Sequence, residues 1–294
     1  MVRVADRAGV IHDLGYRHYD GPRDGVATIA RTLYVTGLRH AFGLGRSGKS
    51  KILPFLLLGL STLPAAIVVG VVTLVGLSDL PLTYAGYTNQ TQLLVSLFAA
   101  AQAPVLFSRD LRYRSIVLYL ARPLPAYVVA LTRWASLTTA LLVFTVLPVL
   151  VLYAGGLLAG LDVSDQTTDL LKAVALLLLV SSMLAGITGF ISSVSLRRGF
   201  AVVGSIVALV VVPGVVTAVQ AIASEEGAEQ VGVAAGLASP WSLTNGLASA
   251  WDAGVEVFTP PEGGWVAAYL AVAVLIAGVG LAAIVARFLK VGSQ

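Results

Sequence analysis

Cysteine is absent from the chain. That excludes a disulfide framework, a cysteine-ligated metal site and a Cys-x-x-Cys redox centre. Charge is scarce as well: 12% of the 294 residues are Asp, Glu, Lys or Arg, against 57% hydrophobic. A soluble core needs far more charged surface, so the composition specifies an all-α integral membrane protein of several helices. The scarcity is sharpest inside the long apolar runs, none of which contains Asp, Glu or His. Proton- or sodium-driven carriers normally place a carboxylate at mid-membrane, and intramembrane proteases need paired Asp, Ser/His or a metal set. Neither chemistry finds its residues here. A cleaved leader also has no counterpart near Met1, because the first fifty residues are polar; the first span is expected to act as its own targeting signal.

What is present is a set of six apolar runs, near 52–77, 90–107, 126–153, 173–194, 200–222 and 265–286. Each is long enough to cross about 30 Å of hydrocarbon as a helix. Arg133 sits one to two turns into the third, where an arginine can snorkel to headgroups; at a helix centre it would cost roughly 2.5–3.5 kcal/mol.

The loops set the orientation. Segment 108–125 carries Arg109, Arg112, Arg114 and Arg122, and segment 195–199 carries Arg197 and Arg198. Segment 78–89 has Asp79 and no base, segment 154–172 has Asp162, Asp165 and Asp169 with Lys172 at its edge, and segment 223–264 has six acids and no base. Basic and base-poor loops alternate, which predicts that both termini are cytoplasmic. The net charge of +4 is then a property of the cytoplasmic loops and needs no nucleic acid to explain it.

Residues 1–51 form a basic arm, with nine Arg/Lys against four Asp. Val26, Ile29, Ala30, Leu33, Gly37 and Ala41 recur at helical spacing, with Thr28, Arg31, Thr32 and Arg39 opposite. This predicts an amphipathic helix over roughly 24–42, lying in the cytoplasmic interface. Residues 52–290 form the membrane domain. Between its second and third spans, segment 108–122 joins four arginines to Ile116, Val117, Leu118, Tyr119 and Leu120, a composition that lies flat on a membrane or docks a partner. The external loop 223–264 is long and moderately apolar. Trp241, Trp251 and Trp265 suit an outer-leaflet aromatic belt with short helices dipping into it; a packed cap with no ligand role is the other reading.

Several motifs invite chemistry. Gly43-Leu44-Gly45-Arg46-Ser47-Gly48-Lys49-Ser50 matches the phosphate-loop pattern letter for letter, but that motif needs a buried strand before it and a soluble helix after it. Here an amphipathic helix precedes it and a membrane span follows, so no nucleotide site is assigned. His12, His18 and His40 fit no common ligand frame, and no metal site is assigned. Polar residues within spans point to a transport path: Gln92, Ser96 and Gln102 on the second, Pro213 and Gln220 on the fifth. Pro213-Gly214 predicts a kink or a partly unwound turn, tolerated where neighbours or water satisfy the freed carbonyl. Ser182, Gly186, Gly189 and Ser193 line one side of the fourth span, a pattern that marks close helix packing.

In this arrangement the chain resembles, over roughly 24–290, the permease subunits of ABC transporters of the type-2 exporter class. The resemblance rests on the interface helix, six spans with both ends inside, the basic loop after the second span and the long last external loop. The loop's pattern is similar: Asp110 after the second span, the apolar stretch Ile116 to Leu120, Pro123, and Arg133 opening the third span. Asp110 and Arg114-Ser115 stand where the family usually has Glu and Gly-Thr. Ser239-Pro240-Trp241-Ser242-Leu243 is similar to a stretch of the family's last external loop, and His18-Tyr19-Asp20-Gly21-Pro22-Arg23 to the arm of actinobacterial members. The resemblance implies a non-enzymatic half-transporter in the bacterial cytoplasmic membrane. It would pair with a second permease copy or a paralogue, contact membrane lipid and move an amphipathic or lipid-like substrate. No cofactor belongs to this chain; ATP and Mg would be held by two copies of a separate ATPase. Asp110, Arg112, Tyr113, Arg114 and Ile116, with Arg31 of the interface helix, would meet that ATPase. The alternative is a non-transporting membrane scaffold that anchors a partner.

Overall fold

The computed structural model describes residues 21, 25–76, 80–108, 124–195 and 197–292. Ten helices carry the described chain: α1 Val26–Ala41, α2 Lys49–Val75, α3 Tyr84–Gln90, α4 Gln92–Leu106, α5 Ala126–Leu158, α6 Val163–Val194, α7 Arg198–Glu225, α8 Glu229–Gly236, α9 Pro240–Ala250 and α10 Gly264–Gly292. Five of them, α2, α5, α6, α7 and α10, are long and apolar enough to cross a membrane. This is a multi-pass membrane protein.

The second of the six apolar runs differs from expectation. It forms α4, a helix of 15 residues, preceded by the separate short helix α3. The polar stretch Asn89-Gln90-Thr91-Gln92 breaks the run. Thr91 leaves helical geometry at ψ 7, and its N–H is shared between the carbonyls of Tyr87 and Thr88. Such a break is tolerated only inside protein. Here α4 is enclosed by α5, α6 and α7, and almost every side chain from Val95 to Leu106 is buried.

Helix ends also run past the hydrophobic windows. The expected connector 154–172 shrinks to residues 159–162, because α5 continues to Leu158 and α6 begins at Val163. Asp162 caps α6, its carboxylate accepting from the N–H groups of Ser164 (2.8 Å) and Asp165 (3.1 Å). Hydropathy stops at the first polar residue, whereas a capped helix does not.

α6 is the central helix, packed on α4, α5, α9 and α10. Its closest crossing is with α10. A Cβ on Gly280 would lie 2.7 Å from the Gly186 Cα, so the two backbones touch. A Cβ on Gly189 would lie 2.9 Å from Ile284 Cδ1 and 3.2 Å from the Phe107 ring. Of the small-residue line read from the sequence, Gly186 and Gly189 make the contacts, while Ser182 and Ser193 hydrogen-bond carbonyls of their own helix.

α1 buries Leu33, Gly37 and Ala41 and exposes Thr28, Arg31, Thr32 and Arg39. It lies against the first half of α5. Ser136 Oγ donates to the Tyr34 carbonyl (3.0 Å), and Tyr34 OH donates to Thr139 Oγ1 (2.9 Å). This docking changes the reading of Arg133. The residue is 6% exposed, and its Nη1 lies 3.7 Å from where a Gly37 Cβ would sit. Its guanidinium is covered by α1 instead of reaching out to headgroups. Phe42, off the helical pattern, packs on Phe98 at 5.6 Å.

Charge divides by sign along the bundle. Among the described residues, all nine carboxylates lie at the end formed by the start of α6, the end of α7, α8, α9 and the loop before α10. Every described arginine lies at the opposite end, with α1, the starts of α2, α5 and α7 and the end of α10. Lys172 is the one cation among the acids, paired with Asp169 at 3.4 Å.

Candidate functional site

The site is built on the seam between α4 and α7. α4 is rich in alanine from Ala99 to Ala103, so its neighbours approach closely, and its polar side chains become features of the interior. Gln92 opens the helix and Gln102 lies ten residues on, about 15 Å along the axis at 1.5 Å per residue. Ser96 lies between them and is 1% exposed.

α7 contributes an irregularity opposite Ser96. Residues Val207–Val211 form a π-helical turn, and the Val212 N–H bonds to the Val207 carbonyl. Pro213 follows, buried, and has no N–H to give the carbonyl four residues back, that of Leu209. The Ser96 hydroxyl donates to that carbonyl across the seam at 3.3 Å. Ser96 Oγ in turn accepts from Trp241 Nε1 of α9 at 3.2 Å. One relay therefore ties three helices together and satisfies two buried groups that would otherwise be orphaned. Of the kink or partly unwound turn expected at Pro213-Gly214, the structure shows an irregular turn, the π turn at Val207–Val211.

A cavity of about 130 Å³ opens at the acidic end of the seam. Gln92, Gln220, Asn89, Asn245, Thr259 and Glu256 supply its polar lining. Gln220 is held from both sides: its Nε2 donates to Thr259 Oγ1 (3.2 Å), and its Oε1 accepts from Ser242 Oγ (3.1 Å). Asn245 Nδ2 donates to Asn89 Oδ1 at 3.0 Å. These oriented amides and hydroxyls, beside the exposed Glu256 carboxylate, form a hydrogen-bonding surface within an apolar bundle. Gln102 belongs to a second cavity, of about 220 Å³, at the basic end. Ala99, Ala100 and Phe98, all buried, close the stretch between the two.

Of the expected path residues, the structure gathers Gln92, Ser96, Pro213 and Gln220 along one seam and sets Gln102 apart at its far end. Asn89, Trp241, Ser242, Asn245 and Thr259 join them, brought in by packing from α3, α9 and the loop before α10. Trp241 was expected in an aromatic belt; it is 3% exposed and inside the fold. Its placement follows from the start of α9, where Ser239 caps the helix by accepting from the Ser242 N–H (3.2 Å) and Pro240 takes the first helical position. That signal stood in the sequence as Ser-Pro-Trp-Ser. Trp251 and Trp265 keep more exposure.

Arg31 lies on the exposed side of α1. Asp110, Arg112, Tyr113, Arg114 and Ile116 lie outside the described residues. The Gly43–Ser50 stretch follows the helix α1 and runs directly into α2, with Gly43 and Gly45 at φ +70 and +78. No cluster of three or more potential metal ligands occurs among the described residues.

Outside the α4–α7 seam, Tyr84 of α3 donates its hydroxyl to Gln166 Oε1. Burial, reinforced by the nearby Asp169 carboxylate, pushes its pKa up to about 12. This contact fixes α3 on α6 beside the acidic cavity. Compared with known proteins, the chain matches no protein-family model and no curated protein sequence.

Proposed function

We propose that this chain is the membrane subunit of an ATP-driven exporter of the ABC type-2 class, one half of a permease pair that works with two separate ATPase subunits. The observation that carries the reading is the α4–α7 seam: polar cavities at both of its ends, closed in the middle, in a molecule whose charges are split by sign between those ends. A half-channel seen shut has this layout. With arginines favouring the cytoplasmic side, the basic end and both termini face the cytoplasm of a bacterial cell. α4 is then the second of six crossings. It is short for a bilayer, and its enclosure by α5, α6 and α7 spares it contact with lipid.

In this reading ATP binding closes the ATPase pair, and the motion enters through segment 108–122 and through Arg31 on α1. Because α1 is bonded to α5, a push on it moves the bundle as a body. For the two cavities to join, the Trp241–Ser96–Leu209 relay must part; the π turn gives α7 the slack to do so without losing its neighbouring hydrogen bonds. An amphipathic or lipid-like substrate suits a path with oriented amides at one end and apolar walls between.

The test is co-expression with candidate ATPases, followed by co-purification and ATPase assay in proteoliposomes. R112E/R114E should abolish the stimulation of ATP hydrolysis while the protein stays folded. A chain that binds no ATPase and gives no ATP-dependent flux would end this reading.

A further inference from the structure

The cavity at the basic end of the seam, one mouth of the path in the exporter reading, has a lining that points to a ligand of its own. Its cavity of about 220 Å³ is lined by Arg46, Lys49, Arg198, Ser50 and Gln102, with Leu53, Pro54 and Val105 as the apolar part of the wall. Among the described residues, three cations face it and no carboxylate does. Lys49 opens α2 and Arg198 opens α7, so two helix N-termini, each carrying partial positive charge, meet at the same wall. Lys49 and Arg198 have no carboxylate partner among the described residues.

The independent observation is Gln102. It is 4% exposed, lines the cavity and has no hydrogen-bond partner among the described residues. Its amide opens onto the cavity, so a guest there meets a donor and an acceptor that no described group engages. Cations, two helix N-termini and an unfilled amide around one space call for an anion with several acceptor oxygens. We infer that this cavity binds a phosphate group. Lys49 and Arg198 would neutralise it, and the Gln102 amide and Ser50 hydroxyl would donate to its oxygens. Leu53, Pro54 and Val105 continue the wall along the bundle, toward the level of the acyl chains. An anionic phospholipid headgroup therefore fits the whole cavity, and a soluble phosphate fits its polar half. The inference stands whether or not the chain is an exporter.

The test uses the full-length protein, delipidated in neutral detergent, with binding read by native mass spectrometry. Phosphatidylglycerol and phosphatidylcholine are titrated separately, then inorganic phosphate and ATP are added as competitors. The expected result is one phosphatidylglycerol held about tenfold more tightly than phosphatidylcholine. That preference should fall about tenfold in K49Q/R198Q and about fivefold in Q102L, and change less than twofold in K51Q, which removes an exposed cation outside the cavity. Lys49 and Arg198 are exposed, so their variants should keep the wild-type unfolding transition. Displacement by millimolar phosphate or ATP, sensitive to the same variants, would support the site with a soluble ligand. Equal retention of both lipids with no phosphate or ATP binding, or a preference that survives K49Q/R198Q and Q102L, would overturn it.

Discussion

The α6–α10 crossing allows one chemical change to be tested in three environments. Substituting Gly280 by Ala places a methyl group 2.7 Å from the Gly186 Cα, 2.8 Å from its carbonyl carbon and 3.1 Å from its oxygen. Ordinary carbon contacts need about 3.5 Å or more, so the helices must part by roughly 0.8 Å. All three obstructing atoms are backbone and cannot rotate aside. Overpacking of this kind costs about 1–3 kcal/mol, against about 1 kcal/mol gained in helix propensity. G186A meets its first neighbours at 3.4 Å, an ordinary contact, and a Cβ on Gly278 meets nothing within 4 Å. The expected order of stability is therefore G278A at or above wild type, G186A close to wild type, and G280A below it by up to about 2 kcal/mol. Unfolding in mixed detergent–SDS micelles, followed by tryptophan fluorescence, gives the three values. If G280A matched G278A, or if G186A fell as far as G280A, the close-crossing argument would be wrong.

Three further outcomes follow from other contacts. S96A should lower stability by about 1–3 kcal/mol, because it strands the Leu209 carbonyl and the Trp241 indole N–H together, and S96T should recover part of the loss; the same unfolding assay checks it. Tyr84 has a folded pKa of about 12 against an ordinary 10.0, so its neutral form stabilises the fold below pH 10, and that contribution fades as pH rises from about 10 to about 12. Melting temperatures at pH 9 and pH 11 should show a drop that is smaller in Y84F. Because the protein has no cysteine, single cysteines at Arg31 and Glu226 can be labelled without background. Impermeant maleimide on intact cells should reach E226C and spare R31C; labelling of both from one side would refute the topology.

The large-scale pattern was legible because it rests on composition over long windows. Five apolar runs became long helices, and the sign of the loop charges became the two ends of the bundle. Leu33, Gly37 and Ala41 were readable by period as one face of α1. What could not be read was which polar residue meets which. Ser96 and Leu209 are 113 positions apart, and Trp241 lies 145 from Ser96, so their relay exists only once α4, α7 and α9 are packed. Trp241 was misplaced because a tryptophan in a loop suits a belt by composition alone, and only the cap at Ser239 directs it inward. The break at Thr91 was hidden in the same way: hydropathy averages across Asn89 to Gln92, whereas a helix responds to each residue. Arg133 looked like a membrane-surface residue because nothing in a single span reveals that another helix lies on top of it.

The division of charge has a consequence for how the molecule sits in an energised membrane. Among the described residues, ten basic side chains mark one pole and nine acidic ones the other. With the basic pole toward a negative cell interior, as proposed above, turning the bundle over would drag every one of these groups against the field, at about 2.3 kcal/mol per charge for each 100 mV. In that orientation the resting voltage would act as a lock on the insertion direction, tightening as the cell becomes better energised.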